Sequence, residues 1–198
     1  MNILNEPKTQ RGKDTLDKIC KSAEELFSSQ GYYNTSINDI TRMADIAPGT
    51  FYIYFKDKIS VFKYLVEYLN NALRKEIREG IKNCKSRYEE EHEGFKAFFN
   101  FLKHHRGLYK IIWEAQFVDE ETFRNYYENI AKGYIRRIDA AQKKGEISCD
   151  IDAKTLAYCF IGVSNFIGLK WIIFDELPVT DAIIDDIMKL FKNGAFNK

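Results

Sequence analysis

The sequence is poor in the residues that break helices. It has three prolines in 198 residues, and it lacks the strict apolar/polar alternation of half-buried strands. Together these point to an all-α chain. Cysteine is sparse and scattered. Cys20, Cys84, Cys149 and Cys159 form no C-x-x-C pair, which argues against a disulfide framework or a redox switch. Cys20 falls on an apolar helix face and Cys159 in an apolar run, so reduced, mostly buried thiols of a cytoplasmic protein are expected. The opening MNILNEPKTQRGK has no apolar core and does not read as a secretory signal. No Ser/His/Asp grouping, phosphate-cradling glycine loop or H-E-x-x-H is present. His92, His104 and His105 give no metal-ligand spacing, so no catalytic, metal or cofactor site is expected. Nor is there an excess of one charge: 30 basic residues stand against 29 acidic ones, a net charge of +1. Nucleic-acid binders are often more basic, so a DNA-binding surface here would need its cations arranged locally.

What is present suits a globular protein, with 45% hydrophobic and 30% charged residues and enough length for a sizeable core in one or two domains. Residues 1–12 read as a flexible polar arm carrying Lys8 and Arg11. A helix follows from about Thr15 to Gln30, with Leu16, Ile19, Cys20, Ala23, Leu26 and Phe27 as its stripe and Gly31 as its stop.

The stretch TSINDITRMADIAPGTFYIYFKDK, residues 35–58, reads as two short helices joined by a tight turn. Thr35 and Ser36 supply the hydroxyl cap of the first, and Ile37, Ile40 and Ala44 share one face. Asp45-Ile46-Ala47 forms the turn. Pro48 suits the first turn of the second helix because it has no N–H to leave unpaired. Phe51 and Phe55, four apart, mark its core side. Gly49, Thr50 and Ile53 then point outward, with Tyr52 and Tyr54 on the flanks. Such a face fits a DNA groove. Gly49 allows close backbone approach, and Thr50 and Ile53 offer contacts to base edges and the thymine methyl. The tyrosine hydroxyls, Arg42 and Lys58 offer contacts to phosphates. Periodicity alone equally allows a helical hairpin inside a larger bundle.

These residues resemble the helix-turn-helix of the tetracycline-repressor (TetR) family, in the run Thr35-Ser36-Ile37-Asn38-Asp39-Ile40 followed by Gly49-Thr50-Phe51-Tyr52-Ile53-Tyr54-Phe55-Lys56-Asp57-Lys58. The match extends upstream through Ala23, Leu26, Phe27, Gly31 and Tyr32 and downstream into Val61-Phe62. It covers roughly the first third of the chain. The family usually has glycine in the turn where this chain has Asp45, a residue that tolerates left-handed backbone better than most. The resemblance implies an N-terminal three-helix DNA-binding domain, residues 1–57, and a helical ligand-binding and dimerisation domain, residues 58–198. DNA contacts are expected from Thr35, Ser36, Arg42, Pro48, Gly49, Thr50, Tyr52, Ile53, Tyr54 and Lys58.

Beyond the motif, apolar stripes predict a helix from Lys58 to about Ile81, one through Phe95, Phe98, Phe99 and Leu102, one from Leu108 to about Phe117, and a long one to about Lys144. Residues 82–93 read as a solvated charged connector. Residues 153–174 are the most apolar run. Its uncharged core, Thr155–Leu169, is shorter than the ~20 residues of a membrane span, so a buried helix is expected and no membrane partner. A last helix opens at Thr180 and ends at Gly194. Two apolar C-terminal helices suggest a homodimer built as a four-helix bundle, which is also the family's arrangement.

Aromatic residues crowd the C-terminal part. Most belong in a core, but buried Tyr and Trp need partners for OH and NH, and a ligand pocket would use them. Trp113, Phe117, Tyr126, Tyr127 and Phe166 are the expected lining, with Glu114 or Glu128 as a cation-selecting carboxylate if either faces inward. The expected function is a cytoplasmic DNA-binding transcriptional regulator, a repressor released from a palindromic double-stranded operator by a small lipophilic or aromatic effector. The alternative is a helical small-molecule carrier without DNA binding.

Overall fold

The computed structural model describes residues 3–193. Among them, α-helices and one π-helical turn are the only regular elements. Gly194, the expected end of the last helix, lies outside the described residues. The helices are α1 (Gln10–Gln30), α2 (Ile37–Met43), α3 (Pro48–Tyr54), α4 (Lys58–Gly80), α5 (Arg87–His104), α6 (Gly107–Val118), α7 (Glu120–Lys143), α8 (Ala153–Gly168), continued by a π turn over Leu169–Phe174, and α9 (Asp181–Asn193). They form two compact units that do not follow a single cut after residue 57. One holds the described residues through Asn71 together with Arg106–Tyr126. The other holds Ala72–His105 and the described residues from Tyr127 onward.

In the first unit, Leu16, Ile19, Cys20, Ala23, Leu26 and Phe27 of α1 are buried with Ile40, Ala44, Phe51, Phe55, Phe62 and Leu65. The helix begins at Gln10, earlier than its apolar stripe indicates, because Thr9 caps it by accepting the Gly12 N–H at 3.1 Å; a polar first turn carries no periodicity signal. Gly31 ends α1 at φ 83°. Burial pushes the Cys20 thiol up to about 12, with Asp17 and Glu24 adding to the effect.

The unit also contains α6, which packs along α1. Gly107 sits so close to α1 that a Cβ there would lie 2.5 Å from Ser28 Cβ. Further along α6, the Tyr32 N–H donates to both Glu114 carboxylate oxygens, at 2.9 and 2.8 Å, and the Tyr33 hydroxyl donates to the Phe117 carbonyl at 3.1 Å. The Lys63 ammonium meets Asp119 at 2.8 Å. Glu114 is therefore occupied in holding the α1–α2 connection and is not a ligand-selecting carboxylate.

In the second unit, Phe160 and Phe191 stack with ring centroids 3.9 Å apart, beside Phe95. Ile184, Ile187 and Met188 bury one face of α9. The stretch 82–93 is not simply solvated. Arg87 and Glu91, four apart on α5, are both buried and paired, and the Tyr134 hydroxyl donates to Glu91. Arg87 and Arg137 also share Glu90, at 3.0 and 2.6 Å. Burial raises the Glu91 carboxyl, while Arg87 and the Tyr134 hydroxyl oppose that shift. Charge runs signal solvent only on average, and the tyrosine on α7 is what closes this network.

The apolar run over residues 153–174 differs from expectation in two ways. Its end is a π turn, and the continuous helical stretch Ala153–Phe174, 22 residues, is long and apolar enough to cross a membrane by length and composition. Nor is it buried on every side: Tyr158, Cys159, Phe166 and Phe174 are exposed. Cys149 is exposed too, so only Cys20 of the four thiols is fully buried.

Candidate nucleic-acid interface

The helix-turn-helix is built by short-range chemistry. Ser36 caps α2 by accepting the Asp39 N–H at 3.1 Å, and Asp39 returns the bond by accepting the Ser36 N–H at 3.0 Å. This reciprocal pair satisfies two amides that a helix start leaves orphaned. The Ser36 hydroxyl and amide, then the nearby Arg42 guanidinium, hold the Asp39 carboxyl below its ordinary range. Asp45 turns the chain at φ 53°, the left-handed conformation expected of it. Pro48 then opens α3 with no side-chain cap on Ala47.

Phe51 and Phe55 are fully buried, and their i, i+4 spacing orients the rest of α3. Gly49, Tyr52 and Ile53 are exposed and Thr50 is half-exposed. A Cβ on Gly49 would meet nothing within 4 Å, so the backbone itself is open to an approaching partner. Exposed Tyr and Ile, 52% and 51% accessible, make an apolar face that water alone does not reward. Around it, Ser36 and Pro48 are exposed, and the Arg42 side chain is 81% accessible while bridging Asp39 at 2.7 Å.

Three residues expected at the DNA are placed inward instead. Thr35 is buried, with its hydroxyl donating to the Gly31 carbonyl at 2.8 Å. Tyr54 is buried as well, and its hydroxyl donates to the Gly12 carbonyl at 3.2 Å. Lys58 turns its ammonium back into the unit, donating to the Tyr32 and Thr35 carbonyls at 2.7 and 2.8 Å and lying 4.2 Å from the Tyr32 ring centroid. Desolvation lowers its pKa, opposed by Glu114. The physical reason is common to all three. Each sits at or beside a helix boundary, from which its side chain reaches a backbone carbonyl of α1 or of the α1–α2 connection, and a helical wheel does not describe such positions.

The polar arm is not free either. The Leu4 N–H donates to the Tyr54 carbonyl at 2.8 Å and the Asn5 side-chain amide to the Ile53 carbonyl at 2.7 Å. Nothing local in the sequence marks these contacts.

The expected ligand lining divides between the units. In the first, Trp113 and Phe117 are exposed on α6 and Tyr126 is buried; in the second, Tyr127 is half-buried and Phe166 exposed. Burial raises the Tyr127 hydroxyl. A cavity of about 790 Å³ within the second unit is lined by none of the five. Its walls include Lys75, Glu76, Glu79, Glu93, Lys96 and His104, a charged cleft unlike the apolar pocket expected for a lipophilic molecule.

Residues 19–65 match the family model described as bacterial regulatory proteins, tetR family. Over 186 residues the chain is 23% identical to the fatty acid metabolism regulator protein of Bacillus subtilis, covering 91% of this chain and 95% of that one. Its fold is similar to that of the fatty acid degradation regulator FadR of Bacillus halodurans, with a TM-score of 0.84, 16% identity, and 98% and 100% of the two chains covered. It is also similar to FadR of Bacillus subtilis, solved in complex with stearoyl-CoA, with a TM-score of 0.80, 19% identity, and 91% and 99% covered.

Proposed function

The chain belongs to the TetR family of DNA-binding transcriptional regulators, and from that premise we propose that it is a homodimeric repressor released from a palindromic operator by a long-chain acyl-CoA thioester. The observation that carries the DNA-reading part is the exposed face of α3: an open Gly49 backbone flanked by Thr50, Tyr52 and Ile53, beside the exposed Ser36, Arg42 and Pro48. Thr50 and Ile53 read base edges, while Ser36, Arg42 and the Tyr52 hydroxyl contact phosphates. Thr35, Tyr54 and Lys58 serve the same surface by holding its frame. Kinship with regulators favours this reading over a carrier without DNA binding.

One α3 reads only a few base pairs. Two related by a twofold axis read half-sites about one turn, ~34 Å, apart. Tyr158, Phe166 and Phe174 of the residue 153–174 stretch and Leu190 of α9 leave apolar surface exposed in the single chain, and a second copy covers it through α8 and α9. The effector class follows from the relatives that regulate fatty acid metabolism, including one that binds stearoyl-CoA. Release follows from linkage: an effector that binds better to a dimer with mis-spaced α3 helices lowers operator affinity by the same factor. Such a repressor works in the cytoplasm, beside the operator it reads.

The test is titration of the purified protein against a duplex from its own upstream region and a scrambled duplex, over a salt series, with and without stearoyl-CoA. Preference for the native duplex, two or more chains per duplex, and release by the thioester are expected. Thr50→Ala and Ile53→Ala should change which bases are preferred. Equal binding to both duplexes, unaffected by these substitutions, would remove the assignment of α3. Native binding that stearoyl-CoA leaves unchanged would remove the effector class alone.

A further inference from the structure

The recognition helix is only seven residues long. A helix leaves its last carbonyls without intrahelical partners, and in so short a helix these make up a large share of its hydrogen-bonding capacity. The Phe51 carbonyl is used by the Phe55 N–H at 3.0 Å. The Ile53 and Tyr54 carbonyls are satisfied by the N-terminal arm, through the Asn5 side-chain amide at 2.7 Å and the Leu4 N–H at 2.8 Å. A third tie, from the Tyr54 hydroxyl to the Gly12 carbonyl, joins the same end of α3 to the first turn of α1. Pro7 packs close by, since a Cβ on Gly12 would lie 3.0 Å from Pro7 Cβ.

We propose that Leu4 and Asn5 form a C-terminal cap on the recognition helix, with Asn5 a positioning residue that holds Ile53 and Tyr52 in their DNA-reading orientation. The inference rests on the assignment of α3 to the operator. It makes the arm part of the reading head by holding its last turn, where cations on the arm would add only charge attraction. Without the cap, the last turn frays in the free protein, and operator binding must first recover the competent state; apparent affinity falls by the fraction of chains that hold it.

The experiment compares wild type, Asn5→Ala and Asn5→Gln on the same native and scrambled duplexes, together with hydrogen exchange at the Tyr54 and Phe55 amides of the free protein. Asn5→Ala should bind the native duplex roughly two- to tenfold more weakly, the range expected for one lost hydrogen bond. Exchange at the two amides should accelerate while the melting temperature falls by no more than about 1–5 °C. Asn5→Gln keeps an amide donor and should recover most of both effects. Wild-type affinity in Asn5→Ala would overturn the proposal. So would weaker binding with unchanged exchange, because Asn5 would then act by touching DNA itself. If wild type shows no duplex preference and Thr50→Ala and Ile53→Ala change nothing, the assignment of α3 falls and this proposal with it.

Discussion

Replacing Glu114 by alanine tests the join between α6 and the connection leading into the helix-turn-helix. Its carboxylate takes the Tyr32 N–H on both oxygens, at 2.9 and 2.8 Å, and lies near the Lys58 ammonium. A hydrogen bond to a charged group is worth about 1.5–3 kcal/mol, and leaving a part-buried N–H unsatisfied costs a similar amount. For a chain of this size each kcal/mol shifts the melting temperature by about 2–4 °C, so Glu114→Ala should lower it by roughly 3–12 °C. Glu114→Gln keeps one carbonyl acceptor and should lose about half as much. A second substitution separates this bond from general packing. Gly31 has φ 83°, and a Cβ there would lie 3.0 Å from Glu114 Oε1. Gly31→Ala therefore costs about 1–3 kcal/mol of backbone strain, because ψ is 165° in a positive-φ region open essentially to glycine alone, plus a steric conflict with the carboxylate. Only the conflict disappears when Glu114 is already alanine, so Gly31→Ala should cost less in that background. The assay is thermal unfolding of the four proteins in a double-mutant cycle. An unchanged melting temperature in Glu114→Ala, or equal costs of Gly31→Ala in both backgrounds, would refute the reasoning.

Three further outcomes are expected. Gly107→Ala puts a Cβ 2.5 Å from Ser28 Cβ and should destabilise by about 1–3 kcal/mol through overpacking; denaturant unfolding should show Ser28→Gly restoring part of the loss. Lys58→Met removes the donor to the Tyr32 and Thr35 carbonyls and should cost about 1–2 kcal/mol in the same assay, while the salt slope of DNA binding stays as in wild type because no phosphate contact is lost. Asp57 accepts from the Ser60 hydroxyl and N–H at 2.5 and 2.9 Å, and the hydroxyl bond first among these causes holds its carboxyl below the ordinary 3.8. A folded pKa below the unfolded value gives stabilisation that is present above the unfolded pKa and lost as pH falls through the folded one. Asp57→Ala should therefore cost about 1 kcal/mol at neutral pH, with the gap to wild type narrowing as pH falls below 3.8; a gap constant from pH 7 to 2 would refute it.

Features that depend on neighbours in the chain are legible in the sequence. The all-α class, the helix-turn-helix, the Ser36 cap, the left-handed turn at Asp45 and the split of α3 into buried Phe51 and Phe55 against exposed Gly49, Tyr52 and Ile53 all follow from spacings of a few residues. Those spacings are the helix's own geometry. Tertiary structure alone decided which polar groups meet across long stretches of chain. Asn5 reaches Ile53 and Glu114 reaches Tyr32 over separations of 48 and 82 residues, and Arg87 and Glu91 are buried once Tyr134 of α7 completes their network. No local pattern marks such pairs, because the demand they meet comes from orphaned backbone groups at helix ends and from charges enclosed by other elements. Lys58 and Tyr54 are also decided by tertiary structure: their side chains suit a phosphate, but the backbone carbonyls of Tyr32, Thr35 and Gly12 take them instead.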